Sequence, residues 1–353
     1  MEPSAPSERR SSRVTIRDIA ERAGVSKGAV SYALNGRPGV SDETRERILA
    51  IAKELGWYPN RAARALSAAR ADACGLVLAR PARTIALEPF FMEFIAGVEL
   101  ELATHSIALT IQLVGDVDEE IAVYRRWWGE HRVDGVAMVD LRVEDPRIEA
   151  VKALGLPAVI VGGPLENHVI PAVWHDEGQV VVEAVQYLAA LGHTRVAHVT
   201  GVGEFVHTTQ RAEAFRRVTD ELGLDAEVVE SDYSAESGAR ATRRLLSSPR
   251  RPTAIVFDSD LLAVTGLGVA QRMGLTVPDD VSIIGWDDSL ISQVVHPPLT
   301  AITRDIEAYG VAVARHLLAA IEREPVGDLE TEAGALTTRG STAPPRDRGP
   351  AVR

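Results

Sequence analysis

The sequence predicts a small all-α head carrying a helix-turn-helix, followed by an α/β body built as two lobes of parallel sheet flanked by helices. Three observations carry this reading. Residues 13–58 hold three short helical patterns with polar caps and no strand-like run. From Cys74 onward, short continuous apolar runs alternate with amphipathic stretches, the pattern of parallel strands buried on both faces. The chain has 353 residues, 46% of them hydrophobic, which is more than one core organises.

Residues 1–12 are rich in Ser, Pro and Arg and read as a disordered tail. Thr15 to Asp18 form a capping box that opens the first helix, with Ile16, Ile19, Ala20 and Ala23 as its apolar stripe. Gly24 supplies the turn and Val25 plugs the core. Ser26 caps a second helix through about Leu34, with Val30, Ala33 and Leu34 inward. Asn35 to Gly39 is loop by composition. Ser41 caps a third helix with the stripe Ile48, Leu49, Ala52 and Leu55, ended by Gly56. Residues 59–71 are a hinge. Pro59-Asn60 opens an alanine-rich helix from Arg61 to Ser67, about two turns long and too short to persist alone in water.

In the body, the strand-like runs are 75–79, 108–114, 135–141, 158–162, 195–201, 227–231, 254–258 and 281–285. The helical stretches lie near 91–104, 118–131, 145–154, 178–191, 209–222, 236–247, 261–273 and 305–322. Eight such units exceed one doubly wound sheet, so two lobes are expected. Residues 343–353 read as a disordered tail.

Charge divides the chain the same way. Residues 1–70 carry 13 Lys+Arg against 8 Asp+Glu, a net +5, while the remaining 283 residues sum to −17. A helix pair joined by a glycine turn inside a basic segment reads as a DNA-binding head, its second helix entering the major groove. No run of eighteen apolar residues exists and the N-terminus lacks an apolar leader, so a cytoplasmic protein that does not engage the membrane is expected. A single cysteine, Cys74, excludes an internal disulfide framework. The histidines show no metal-ligand spacing, and His193 reads as a helix-end cap. Neither metal nor cofactor is expected. No nucleophile elbow, phosphate loop or dinucleotide fingerprint is present, which argues against an enzyme.

The residues also match a family. The segment VTIRDIAERAGVSKGAVSYALNGRPGVSDETRERILAIAKELGWYPNRAARAL (14–66) resembles the N-terminal module of lactose-repressor (LacI/GalR) family transcription regulators. LGHTRVAHVTG (191–201), TTQRAEAF (208–215), RPTAIVFDSDLLA (251–263), GLTVPDDVSIIGWDD (274–288) and HPPLTAI (296–302) follow in family order. The resemblance covers about 13–342. It implies a two-lobed core like periplasmic sugar-binding proteins, joined by three crossovers, with one lobe over about 73–172 plus 301–325 and the other over about 173–300 plus 326–342. The core dimerises and binds a small effector in its cleft, and the protein acts as a repressor on a pseudo-palindromic double-stranded DNA operator. The chain ends without leucine heptads, which favours a homodimer.

Carried onto this sequence, the resemblance makes Ser26–Leu34 the recognition helix, presenting Lys27, Gly28 and Ala29 early and Ser31 and Tyr32 further on. Lys27 can donate to a guanine edge, and Gly28 stands where the family usually has a base-reading side chain. Thr15, Ser31 and Asn35 match phosphate ligands; Asn60, Arg61 and Arg64 match hinge contacts; Leu66 matches an apolar wedge in the minor groove. In the body, Asp287 matches the effector carboxylate and Arg211 the ligand arginine. Phe91 and Tyr233 match stacking rings, while core packing reads nearly as well for Phe90 and Tyr233. Ser259 and Glu88 each replace an asparagine common in the family. Asp140, His207, Asp176 and Trp174 are further pocket candidates. The implied effector is a sugar or sugar derivative. The alternatives are a nucleoside or purine effector, or a carbohydrate receptor that does not bind DNA.

Overall fold

The computed structural model describes residues 14–34, 36–57, 70–163 and 169–346. They belong to two compact units, Met1–Ala69 and Arg70–Arg353. Asn35, Asn60, Arg61, Arg64 and Leu66 lie outside the described residues, as do the tail 1–12 and the hinge segment 59–69.

The first unit contains α1 (Ile16–Ala23), α2 (Lys27–Leu34) and α3 (Asp42–Glu54). The caps form where polar residues precede each apolar stripe. Asp18 closes the box on Thr15, accepting from its amide at 2.7 Å, and Ser26 Oγ accepts from the Ala29 amide at 3.1 Å. Ser41 Oγ accepts from the Thr44 amide at 3.4 Å. Gly24 takes the left-handed conformation, φ 66°, that turns α1 into α2. Ile19, Ala20, Ala23, Val30, Ala33, Ile48 and Ala52 form the core, with Val25, Leu34, Leu55 and Trp57 half-buried against it. Two stripe residues depart from expectation. Ile16 is 36% exposed because it opens α1 a turn before the other helices reach it. Leu49 is 46% exposed because it sits about 100° round α3 from Ile48.

The second unit contains two six-stranded sheets. The first runs β11-β5-β4-β3-β1-β2, all parallel, from β1 (Ala73–Leu78), β2 (Ala108–Leu113), β3 (Gly135–Met138), β4 (Ala158–Val161), β5 (Ala172–Trp174) and β11 (Leu329–Glu330). The second runs β12-β10-β9-β8-β6-β7, from β6 (Arg195–Thr200), β7 (Asp225–Glu230), β8 (Ala254–Phe257), β9 (Ser282–Asp287), β10 (Thr300–Thr303) and β12 (Ala335–Thr337), the last antiparallel. Helices α4 (Ala82–Leu87), α5 (Pro89–Thr104), α6 (Val117–Gly129), α7 (Pro146–Leu154) and α13 (Ile306–Ile321) belong with the first sheet. α8 (Glu177–Ala190), α9 (Val206–Glu221), α10 (Ala235–Leu246), α11 (Asp260–Arg272) and α12 (Leu290–Val294) belong with the second. Every residue of β1, β3, β4 and β8 is buried, as strands covered on both faces must be. Among the described residues no helix is long and apolar enough to cross a membrane.

The chain crosses between sheets three times: after β5, after β10 and after β11. These crossings fall a few residues later than the sequence reading placed them. β5 extends the first lobe through Trp174, β10 keeps residues to Thr303 in the second, and β11 returns 329–330 to the first. β5, β10, β11 and β12 are too short to show a period. The C-terminal segment is also tied down further than expected. The Ala343 amide donates to Ser282 Oγ at 3.1 Å, and its carbonyl lies 3.0 Å from His193 Nε2. His193 therefore anchors this segment through its ring, which also meets Thr253 Oγ1 at 2.9 Å, rather than capping a helix.

A backbone contact ties the two lobes together, and a helix contact fixes the first lobe. Residues 141–143 of the first lobe run alongside 204–206 of the second, with Val206 N to Leu141 O at 2.8 Å and Val143 N to Glu204 O at 3.0 Å. Within the first lobe, α13 lies directly on α5 through glycines. A Cβ on Gly97 would stand 2.0 Å from the Glu307 carbonyl oxygen, and one on Gly310 would stand 2.4 Å from that of Phe94. Neither backbone can yield without moving its helix. Gly97→Ala is therefore expected to destabilise the body by about 1–3 kcal/mol, the usual cost of overpacking a tight interface, measured by chemical denaturation. An unchanged midpoint would mean the helices can separate freely.

Candidate functional site

The carboxyl ends of the strands of both sheets open on one pocket. Arg80 follows β1, and Glu88 and Phe91 open α5. Asp140 follows β3; His175 and Glu177 follow β5; His207 and Arg211 open α9. Tyr233 follows β7, Asp258 and Ser259 follow β8, Asp287 ends β9 and Arg304 follows β10. All seven effector candidates, Phe91, Asp140, His207, Arg211, Tyr233, Ser259 and Asp287, line this pocket, as does Phe90. Asp176 and Trp174 do not. The Asp176 carboxylate is spent on the Gly178 and Gln179 amides at the start of α8, and Trp174 lies half-buried against the first lobe's core. Arg80, His175, Glu177, Asp258 and Arg304 were not reached from the sequence.

Three guanidinium groups dominate the pocket, each almost wholly removed from water and each paired. Arg80 grips Asp140 with two bonds of 2.6 Å. Arg211 donates from Nε to Glu177 at 2.7 Å and from Nη1 to the Asp258 carbonyl at 3.2 Å, with its plane 3.9 Å from the Trp286 ring. Arg304 donates to Asp287 at 2.8 Å and also meets His175 and Glu177. Burial alone would raise the Glu177 carboxyl; the Arg211 guanidinium, with His175 and Arg304, overrides this and holds it well below the usual carboxylate range. Glu88 goes the other way. Burial lifts it to about 7, and the Arg80 guanidinium and Ser259 hydroxyl only partly oppose this. Burial and the nearby Arg211 cation push His207 down to about 4, so its imidazole is neutral near pH 7.

Aromatic faces and backbone strain complete the site. Arg80 lies 5.2 Å from the centroid of Phe91, 4.8 Å from Phe205 and 4.6 Å from Tyr233. The Tyr233 hydroxyl meets His207 Nε2 at 3.0 Å, and its ring occupies the space a Cβ on Gly201 would need, 1.9 Å away. Asp140, Tyr233 and Asp287 all adopt left-handed backbone, φ 52°, 63° and 85°. Such conformations persist where surrounding contacts over-determine them, as at ligand sites. Among the described residues no cluster of His, Cys, Asp and Glu could hold a metal.

In the first unit, Lys27 and Gly28 are exposed at the start of α2, and Tyr32 is exposed further along with its ring beside Gly39. Thr15 and Ser26 are exposed at the starts of α1 and α2, each engaged in a cap. Ala29 and Ser31 are half-buried, Ala29 being less open than the sequence reading had it. The hinge candidates lie outside the described residues.

The ion pairs of the pocket give a direct test. Arg211→Ala leaves Glu177 and Asp258 buried with less compensation and is expected to destabilise the body by about 3–5 kcal/mol. Adding Glu177→Gln removes one of those charges, so the double variant should lose less than the two single losses summed. Additive losses in denaturation curves would mean that the pair does not interact.

Comparison with known proteins places both units. Residues 15–60 match the model described as "Bacterial regulatory proteins, lacI family", and residues 185–342 match "Periplasmic binding protein-like domain". The chain is 35% identical over 352 residues to the HTH-type transcriptional regulator AglR of Rhizobium meliloti, with 96% of each chain covered. It resembles the solved transcriptional regulator CelR–cellobiose complex at 30% identity and a TM-score of 0.70, covering 93% of this chain and all of that one. It also resembles the Lac repressor dimer bound to operator and the anti-inducer ONPF at 26% identity and a TM-score of 0.83, covering 94% of this chain and all of that one. The chain thus carries a helix-turn-helix unit followed by a two-lobed α/β body, and it belongs to the lacI family of bacterial transcriptional regulators.

Proposed function

We propose that this regulator is a homodimeric, cytoplasmic repressor that binds a pseudo-palindromic operator through α2 and is switched by a sugar or sugar derivative held between its lobes, without catalysing a reaction. The observation that carries the saccharide reading is the convergence in one pocket of guanidiniums, carboxylates and the aromatic residues Phe91 and Tyr233. Carboxylates and arginine forks read hydroxyl groups, while rings cover the apolar faces of a pyranose. The complex of the related CelR with cellobiose supports the same class. Lys27 at the exposed start of α2 is the base-reading candidate, and Thr15, Ser26 and Ser31 are phosphate-positioning candidates. Asn35, Asn60, Arg61, Arg64 and Leu66 remain DNA candidates by resemblance. A saccharide acts on DNA affinity only by its differential affinity for two lobe arrangements, a coupling of typically ~1–3 kcal/mol.

Mobility shift with full-length protein tests this. If two +5 heads neutralise about eight phosphates, log K should fall with log salt at a slope near −7. Lys27→Ala should cut the discrimination between operator and random DNA by about 1–3 kcal/mol. Equal losses on both sequences would make Lys27 a phosphate contact. Saccharides should change operator affinity while nucleosides leave it unchanged; the reverse would replace the saccharide reading.

A further inference from the structure

Two polar atoms of the pocket have no hydrogen-bond partner among the described residues: Arg80 Nη1 and Glu88 Oε1. Both side chains are more than nine-tenths buried and both line the cleft. They face each other, with Arg80 Nη1 standing 3.7 Å from Glu88 Oε2, too long for a hydrogen bond. A buried donor and a buried acceptor left unmade in this way are each costly, and a ligand that completes both removes the cost. Glu88 also precedes α5 and makes no side-chain bond to the helix amides. The residue lines the cleft instead.

The rest of Arg80 is committed. Asp140 holds its other two nitrogens at 2.6 Å each, and the rings of Phe91, Phe205 and Tyr233 surround its plane. Arg304 is likewise held by Asp287 and Glu177, and Arg211 binds Glu177 through Nε and the Asp258 carbonyl through Nη1. An incoming anion approaching Arg80 Nη1 would meet, beside it, the carboxyl of Glu88.

We infer that Glu88 and Arg80 form the specificity-determining pair of the cleft, reading one ligand hydroxyl that donates to Glu88 Oε1 and accepts from Arg80 Nη1. The pocket accordingly takes a neutral polyol and disfavours its uronate or phosphate-ester counterpart at this position. This rests on the saccharide reading above. The groups facing Glu88 are Arg80 beyond β1, Asp140 beyond β3, Ser259 ahead of α11 and Asp287 at the end of β9. Two of these are like charges that an anionic ligand would add to. Because burial lifts Glu88 to about 7 and the ionised carboxylate is the better acceptor, saccharide affinity should rise with pH across that value.

Isothermal titration calorimetry on the full-length protein tests the pair, with cellobiose, maltose and glucose as neutral probes and glucuronate and glucose 6-phosphate as charged ones. A neutral probe should bind at least about tenfold more tightly than the charged probes. Its affinity should rise about tenfold from pH 6 to pH 8, and Glu88→Gln should flatten this dependence. The variant should weaken the neutral probe about tenfold and narrow the discrimination against glucuronate, a change of preference that a purely structural role for Glu88 would not produce. The pH profile and the probe preference of the unaltered protein decide the matter if the variant folds poorly. Tighter binding of a charged probe overturns the inference. So does a neutral probe bound without pH dependence and within twofold by Glu88→Gln, an outcome that leaves the saccharide reading intact. Binding of nucleosides with no sugar bound at all removes that reading, and this inference with it.

Discussion

Glu177 is the residue on which the cleft depends. It is buried at the start of α8, immediately after the first crossover, and takes Arg211 at 2.7 Å, His175 at 2.9 Å and Arg304 at 3.4 Å. A carboxylate removed from water is tolerated only when its partners surround it with good geometry. Those partners come from α9 and from the segments after β5 and β10, so the electrostatic demand of one side chain draws together two crossovers and the floor of the pocket. Arg304 then passes the constraint on to Asp287, and Arg211 to Asp258. Asp258 in turn accepts from the buried His198 at 2.7 Å and from the Gly201 amide at 3.0 Å, which sets the backbone beneath Tyr233.

The consequence is that ligand contacts and lobe connections are not separate features. Arg304 lies at once on the pocket wall and on the second crossover; His175 and Glu177 do the same on the first. On the far side of the cleft, Arg80 of the first lobe lies over Phe205 and Tyr233 of the second, beside the backbone bonds of 141–143 with 204–206. A ligand that exchanges hydrogen bonds with these groups necessarily bears on how the lobes are held. This is the physical content of effector control in this chain: differential contacts made by groups that also set the lobe arrangement.

The head and the eight long strand–helix units were legible because caps and apolar runs are local signals. Thr15, Ser26 and Ser41 start helices where they stand, and β1, β3, β4 and β8 are apolar throughout. β5, of three residues, and β10, flanked by polar residues, carry no such signal, and the residues that follow them, His175, Glu177 and Arg304, went unread with them. Arg80 follows a strand that was read, and a stricter search of strand ends would have reached it. Asp287 and Arg211 came from family resemblance, and the pocket lining contains both. Trp174 and Asp176 lie beside the right crossover but are taken up by core packing and a helix cap. Periodicity places elements along the chain; it does not reveal which buried charges must find each other across two sheets.

The most direct test of the account is amide hydrogen exchange on the full-length protein, with and without the saccharide that binds it most tightly. Binding in the cleft should slow exchange in residues 172–177 and 300–305 together with the segments around Glu88 and Asp287, because the ligand and the crossovers share side chains. Saccharide binding that protects only residues outside the cleft, or that protects the pocket walls while leaving both crossovers unchanged, would contradict the claim that one buried network both receives the ligand and holds the lobes.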